Sequence, residues 1–143
     1  GNYVWRGQGF RTAPAAERQR FRAVEWALAP TFDHFMSGLL AARPGVSGIW
    51  WHDNFTPGPD GWLPRPSGNR GGHATAVLKP AARKVGSSIE FGLAGPNSWS
   101  KSFGKDGWFV IPEWAYTSNK EIGGWWLLVE AADEGGVVPE GVP

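Results

Sequence analysis

Apolar residues recur at helical spacing in the first third of the chain and then give way to short runs of strand character. Across residues 13–30, Phe21, Val24 and Leu28 stand at i, i+3 and i+7, with Thr12 as an N-cap and Pro14 in the first turn. This spacing predicts an amphipathic helix that ends before Pro30 and carries Arg18, Arg20, Arg22 and Glu25 on a solvated face. A second helix is predicted from Thr31, whose hydroxyl can cap it, with Phe32, Phe35, Met36, Leu39 and Leu40 on one side until Arg43-Pro44 stops it. His34 falls in its first turn, where a surface histidine is the simplest reading.

The rest reads as strands. VSGIWW (46–51) is followed by a long loop rich in proline and glycine over 52–72, and then by HATAVLK (73–79), SIEFGLA (88–94), GWFVI (107–111) and WWLLVEA (125–131). Short turns between strands favour an antiparallel sheet, and with two helices ahead of it the predicted class is α+β. Residues 1–130 are expected to form one domain, and 131–143, rich in Gly, Pro and acids, a flexible tail.

Composition narrows the partners. Fourteen basic and 13 acidic side chains leave a net charge of +1, too weak a field to recruit nucleic acid or an anionic membrane surface. No apolar run approaches the roughly 20 residues that span a bilayer, and GNYVWRGQGF lacks the layout of a signal peptide, so the chain reads as soluble, with no compartment assigned. The absence of cysteine excludes a disulfide scaffold and thiolate metal sites within these residues. No dinucleotide-binding, phosphate-loop or HExxH pattern occurs, and no cofactor or metal is expected. A metal site from His34, His52, His73 and nearby Asp53 or Asp60 matches no ligand spacing, and Asn54-Phe55-Thr56 is a glycosylation pattern common by chance.

The candidate chemistry lies in two stretches. In the first, Gly71-Gly72-His73-Ala74-Thr75-Ala76-Val77, a histidine opens an apolar strand; taken alone it reads as a hydrogen-bonded structural histidine. The second is Asn97-Ser98-Trp99 with glycines at 104 and 107. Their separation of 24 residues suits a strand, a turn and a second strand, so an antiparallel hairpin can set His73 beside Asn97. A histidine oriented by a carboxamide is the base half of a Cys-His-Asn nucleophilic site.

These motifs resemble the C-terminal half of papain-like cysteine peptidases, which show Gly-His-Ala-Val and Asn-Ser-Trp-Gly-x-x-Trp-Gly-x-x-Gly-Tyr. The resemblance spans roughly residues 31 to 112, including Gly45-Val46-Ser47-Gly48-Ile49, and departs from the pattern at Ser100 and Phe103. Within the family, Trp5, Gln8-Gly9-Phe10 and the tryptophan-rich runs look most like proteins of bacteria and their phages. The resemblance implies His73 as general base, Asn97 as the group that orients it, Trp99 as a cover over their bond, and Gly72 and Ser98 as supporting neighbours. It also implies Gly104 and Gly107 as the turn that returns the chain to Trp108.

The family's nucleophile has no counterpart here. A papain-like cysteine follows an oxyanion-hole glutamine by a few residues; six residues after Gln8 stands Pro14, only 59 residues before His73, roughly half the family interval. Gln8 therefore reads as structural or coincidental. Ser98 is no substitute, because neighbouring strand residues point to opposite faces. Two functions follow. The chain is the C-terminal half of a peptidase, inactive alone, that acts on peptide or protein substrates once an upstream segment or partner chain supplies the cysteine. Alternatively, it is a nucleophile-less pseudoenzyme kept as a structural or binding module in a larger assembly, with exposed tryptophans between 50 and 62 as contact residues.

Overall fold

The computed structural model describes residues 21–119 and 124–133. Their elements run β1 (Phe21–Leu28), α1 (Phe32–Leu40), β2 (Gly45–His52), β3 (Arg70–Val77), β4 (Lys79–Val85), β5 (Ser88–Pro96), β6 (Trp108–Pro112), α2 (Glu113–Asn119) and β7 (Trp125–Asp133). The strands pair antiparallel in a four-stranded sheet, order β1-β7-β2-β3, and a three-stranded sheet, order β4-β5-β6. The class is α+β, as the patterning predicts.

The capped helix forms as its sequence requires. Thr31 Oγ1 accepts the backbone N–H of His34 at 3.2 Å, satisfying one of the amides that a helix start leaves free. Phe32, Phe35 and Leu39 enter the core, whereas Leu40, expected on the same side, is 72% exposed. Phe35 meets the Trp125 indole edge-on at 5.5 Å, and Tyr116 of α2 lies 4.2 Å from the same indole. Ile49, Val77, Leu93, Phe109 and Ile111 complete a core between the sheets and the two helices.

The first predicted helix is corrected where it is described: Phe21–Leu28 is a strand, paired with β7 from Phe21↔Asp133 to Leu28↔Trp126. Its register shifts between Ala23 and Glu25 and again between Glu25 and Trp26. A bulge of this kind breaks the alternation that would mark a strand, and what remains imitates helical spacing. Pairing with a nine-residue partner then outweighs weak local preference. Thr12, Pro14, Gln8 and residues 134–143 lie outside the described residues, and β7 itself runs to Asp133.

Two elements escape the sequence patterning. β4 contains Pro80, which reads as a strand breaker but is tolerated here because β4 is the edge of its sheet. Val85 pairs with Ser88 around Gly86, whose φ of 60° suits a tight hairpin turn. The short helix α2 follows β6 directly, and its Tyr116 hydroxyl donates to Ala29 O at 2.8 Å. Trp108, expected with the core strand, lies on the opposite face of β6; Phe109 and Ile111 face the core.

The two sheets meet where β3 passes β5. Leu78 N–H donates to Ala94 O at 2.9 Å, and a Cβ placed on Gly95 would stand 1.9 Å from Ala76 O. That clash is with backbone, so no side-chain rotation relieves it. Gly95→Ala is expected to force the strands apart and to lower stability by about 1–3 kcal/mol, the range for overpacking a tight interior site, as measured by thermal or denaturant unfolding.

Candidate active site

The β2–β3 hairpin sets the histidine. His73 pairs with Ile49, which is fully buried, so the imidazole points to the inner face of the sheet at its open end. Thr75 and Val77 follow on that face and are buried. Trp50 and Trp51 stand opposite Gly72 and Gly71, so the Gly-Gly pair ahead of His73 puts no side chain across from either indole. The loop between these strands is closed by its own polar groups. Asp53 exchanges two bonds with Asn69, at 2.9 and 3.0 Å, and the Asn54 carboxamide holds Arg65 O and Ser67 N–H at 2.6 and 2.8 Å. Asn54 is thereby a brace, and Phe55 beside it is buried.

Asn97 follows β5 directly. Its N–H donates to Gly107 O at 2.8 Å, and Lys105 and Trp108 exchange backbone bonds at 2.9 and 3.0 Å, closing the loop. Gly104 and Gly107 hold φ values of 58° and 85°, and a Cβ on Gly104 would stand 2.2 Å from Trp108 O, so this turn needs glycine there. This agrees with the shaping role that the resemblance implies. Ser98 is exposed.

Burial lowers the His73 pKa below 6.5, while the neighbouring Asn97 carboxamide favours the charged ring and opposes that fall in part. The carboxamide acts on the ring from the end of β5, across the meeting of two sheets and not from the partner strand of one hairpin. The bond between them is not closed: His73 Nε2 and both carboxamide atoms of Asn97 are buried without a hydrogen-bond partner.

Aromatic rings do more of the holding. Trp99 lies 5.2 Å from the His73 ring, centroid to centroid, and is 52% exposed, so it covers the histidine from the solvent side as a lid. Trp51 lies 4.9 Å from His73 at an interplanar angle of 72°, and 5.0 Å from Trp99. Phe103 packs on Trp99 at 5.0 Å. Patterning missed Trp51; the available signal was its place on the inner face with Ile49, one diagonal step from His73.

The other candidates have local work. His34 Nδ1 bonds Thr31 Oγ1 at 2.6 Å, and Asp60 caps Trp62 N–H and pairs with Arg83 at 2.8 Å. The described residues gather no three metal-binding side chains, and among them no helix is long and apolar enough to cross a membrane. Of the tryptophans expected to be exposed between 50 and 62, Trp62 is buried against Gly92 and Val110, and Trp50 and Trp51 are half-buried.

No protein-family model and no curated protein sequence matches the chain. Solved structures do. Xylellain, a cysteine protease from Xylella fastidiosa, is similar at a TM-score of 0.56 and 23% identity, over 77% of this chain and 41% of that one. A clostridial cysteine protease after propeptide cleavage is similar at 0.61 and 11% identity, over 87% and 32%. A procathepsin B from Trypanosoma congolense gives 0.54 and 19%, over 75% and 35%. The fold is that of papain-like cysteine proteases. It corresponds to their C-terminal subdomain, and the chain spans less than half the length of each of these three structures.

Because the His73 pKa is lowered by burial, the folded chain binds this proton less tightly than the unfolded chain. The stability linked to it is complete above about 6.5, the ordinary histidine value, and is lost as pH falls from there through the folded pKa. Trp99→Ala opens the ring to water, so the NMR titration midpoint of His73 is expected to rise toward 6.5, with little change in unfolding temperature. An unchanged titration curve would show that the indole does not shelter the ring.

Proposed function

We propose that the chain is the base-bearing half of a papain-like cysteine peptidase, with the nucleophilic thiol carried on a segment outside these 143 residues. The observation that supports it most is the placement of a sheltered His73 against the Asn97 carboxamide, on a fold shared with cysteine proteases. Peptide or protein is the substrate class that fits such a site, and the bacterial sources of two similar structures suit a bacterial or phage-type placement.

In this reading His73 takes the thiol proton, and the resulting thiolate attacks the scissile carbonyl. The imidazolium returns that proton to the leaving amine, and water releases the acyl group with His73 again as base. Burial of the ring suits the task, since it keeps the imidazole neutral and ready to accept a proton near neutral pH. Asn97 selects the ring orientation, and Trp99 keeps water from the pair.

The absence of cysteine from these 143 residues also suits a second reading, a nucleophile-less module whose histidine site is not used. The two readings part in one experiment. The chain alone is expected to hydrolyse no peptide, because no acyl-enzyme can form without a nucleophile. The gene product that includes the residues ahead of Gly1 is expected to hydrolyse peptides, with activity lost to thiol alkylation and to His73→Ala. Hydrolysis by the chain alone, blocked by His73→Ala and indifferent to thiol reagents, would overturn the first reading; an inert longer product would favour the second.

A further inference from the structure

The His73 ring has a neighbour besides Asn97 and Trp99 that ties it to the core. Neither carboxamide atom of Asn97 has a closed hydrogen bond, and Trp99 is a half-exposed residue of a surface loop. Trp51 differs from both. It lies in β2, which pairs with β3 along its whole length. Its indole meets Phe55 and Phe109 edge-on at 5.5 and 5.4 Å, and those rings are 2% and 1% exposed. It is therefore tied to the core at one end and to His73 and Trp99 at the other.

The register explains why the indole reaches the histidine. Trp51 pairs with Gly71, which has no side chain to meet it, and His73 is the diagonal neighbour on the same face. The three rings of Trp51, His73 and Trp99 form a triangle with sides of 4.9, 5.2 and 5.0 Å. A ring held on two sides in this way loses its freedom to rotate without any hydrogen bond.

We infer that Trp51 is a positioning residue: it anchors the His73 imidazole and the Trp99 lid to the core, and it does so more firmly than Asn97. The inference rests on the reading of His73 as the base, but its test does not depend on catalysis. Nuclear Overhauser cross-peaks between the His73 ring and the Trp99 indole are measured in the folded chain and in three variants. In Trp51→Leu, the cross-peaks are expected to disappear while Leu93 and Ile111 methyl signals persist. Trp51→Phe is expected to restore them, since a ring is again present to pack edge-on. In Asn97→Ala they are expected to survive.

Cross-peaks that persist in Trp51→Leu would overturn the inference, and so would their disappearance in Asn97→Ala alone. Should Trp51→Leu fail to fold, the Asn97→Ala variant decides: cross-peaks that survive there support the inference, and their disappearance sinks it. Thiol-dependent hydrolysis by the longer gene product is a separate readout, so failure of the peptidase reading leaves this result standing and distinguishable.

Discussion

The approach of β3 to β5 governs the molecule. At Gly95 the two strands come so close that no Cβ fits, and this meeting of backbones joins the four-stranded sheet to the three-stranded one. His73 lies three residues before Ala76 on one strand, and Asn97 two residues after Gly95 on the other. A site assembled from two sheets thus has its separation set by a single backbone approach. Widening that approach by an ångström moves the imidazole away from the carboxamide, with no change to either residue.

Much of this is legible in the sequence because it is local or paired. The Thr31 cap, the Phe32, Phe35 and Leu39 stripe, and the strands around Ile49, Leu93 and Phe109 announce themselves through spacing. His73 and Asn97 stand out as motifs, but the one hairpin that their separation suggests is a meeting of two sheets, with β4 paired to β5 instead. What escapes depends on partners distant in sequence. β1 carries a bulge that hides its alternation, and only β7, about a hundred residues later, makes it a strand. β4 looks broken by Pro80 until its edge position is known. Trp51 looks like one of two adjacent tryptophans, and only the register against Gly71 shows which of them turns inward.

The tryptophans also divide by role in a way that composition hides. Trp125 is core, joined to Phe35 and Tyr116. Trp51 and Trp99 belong to the histidine. Trp50, Trp62, Trp108 and Trp114 each lie beneath a cation, Arg70, Arg83, Lys79 and Arg65 respectively, at 4.3–4.7 Å. Such pairs contribute about 0.5–1 kcal/mol each at exposed sites, and at Trp50, Trp108 and Trp114 they let large, partly buried apolar plates sit near water without forming a continuous greasy surface.

The edge strand β4 carries a further consequence. An unpaired strand edge is a template on which another chain can lay its own backbone, and proteins blunt such edges with proline and lysine. Pro80 offers no amide proton, and Lys79 and Lys84 add positive charge to the same strand. Sheet extension across β4 is therefore disfavoured both by geometry and by repulsion. The three-stranded sheet is thereby protected on this side from runaway polymerisation.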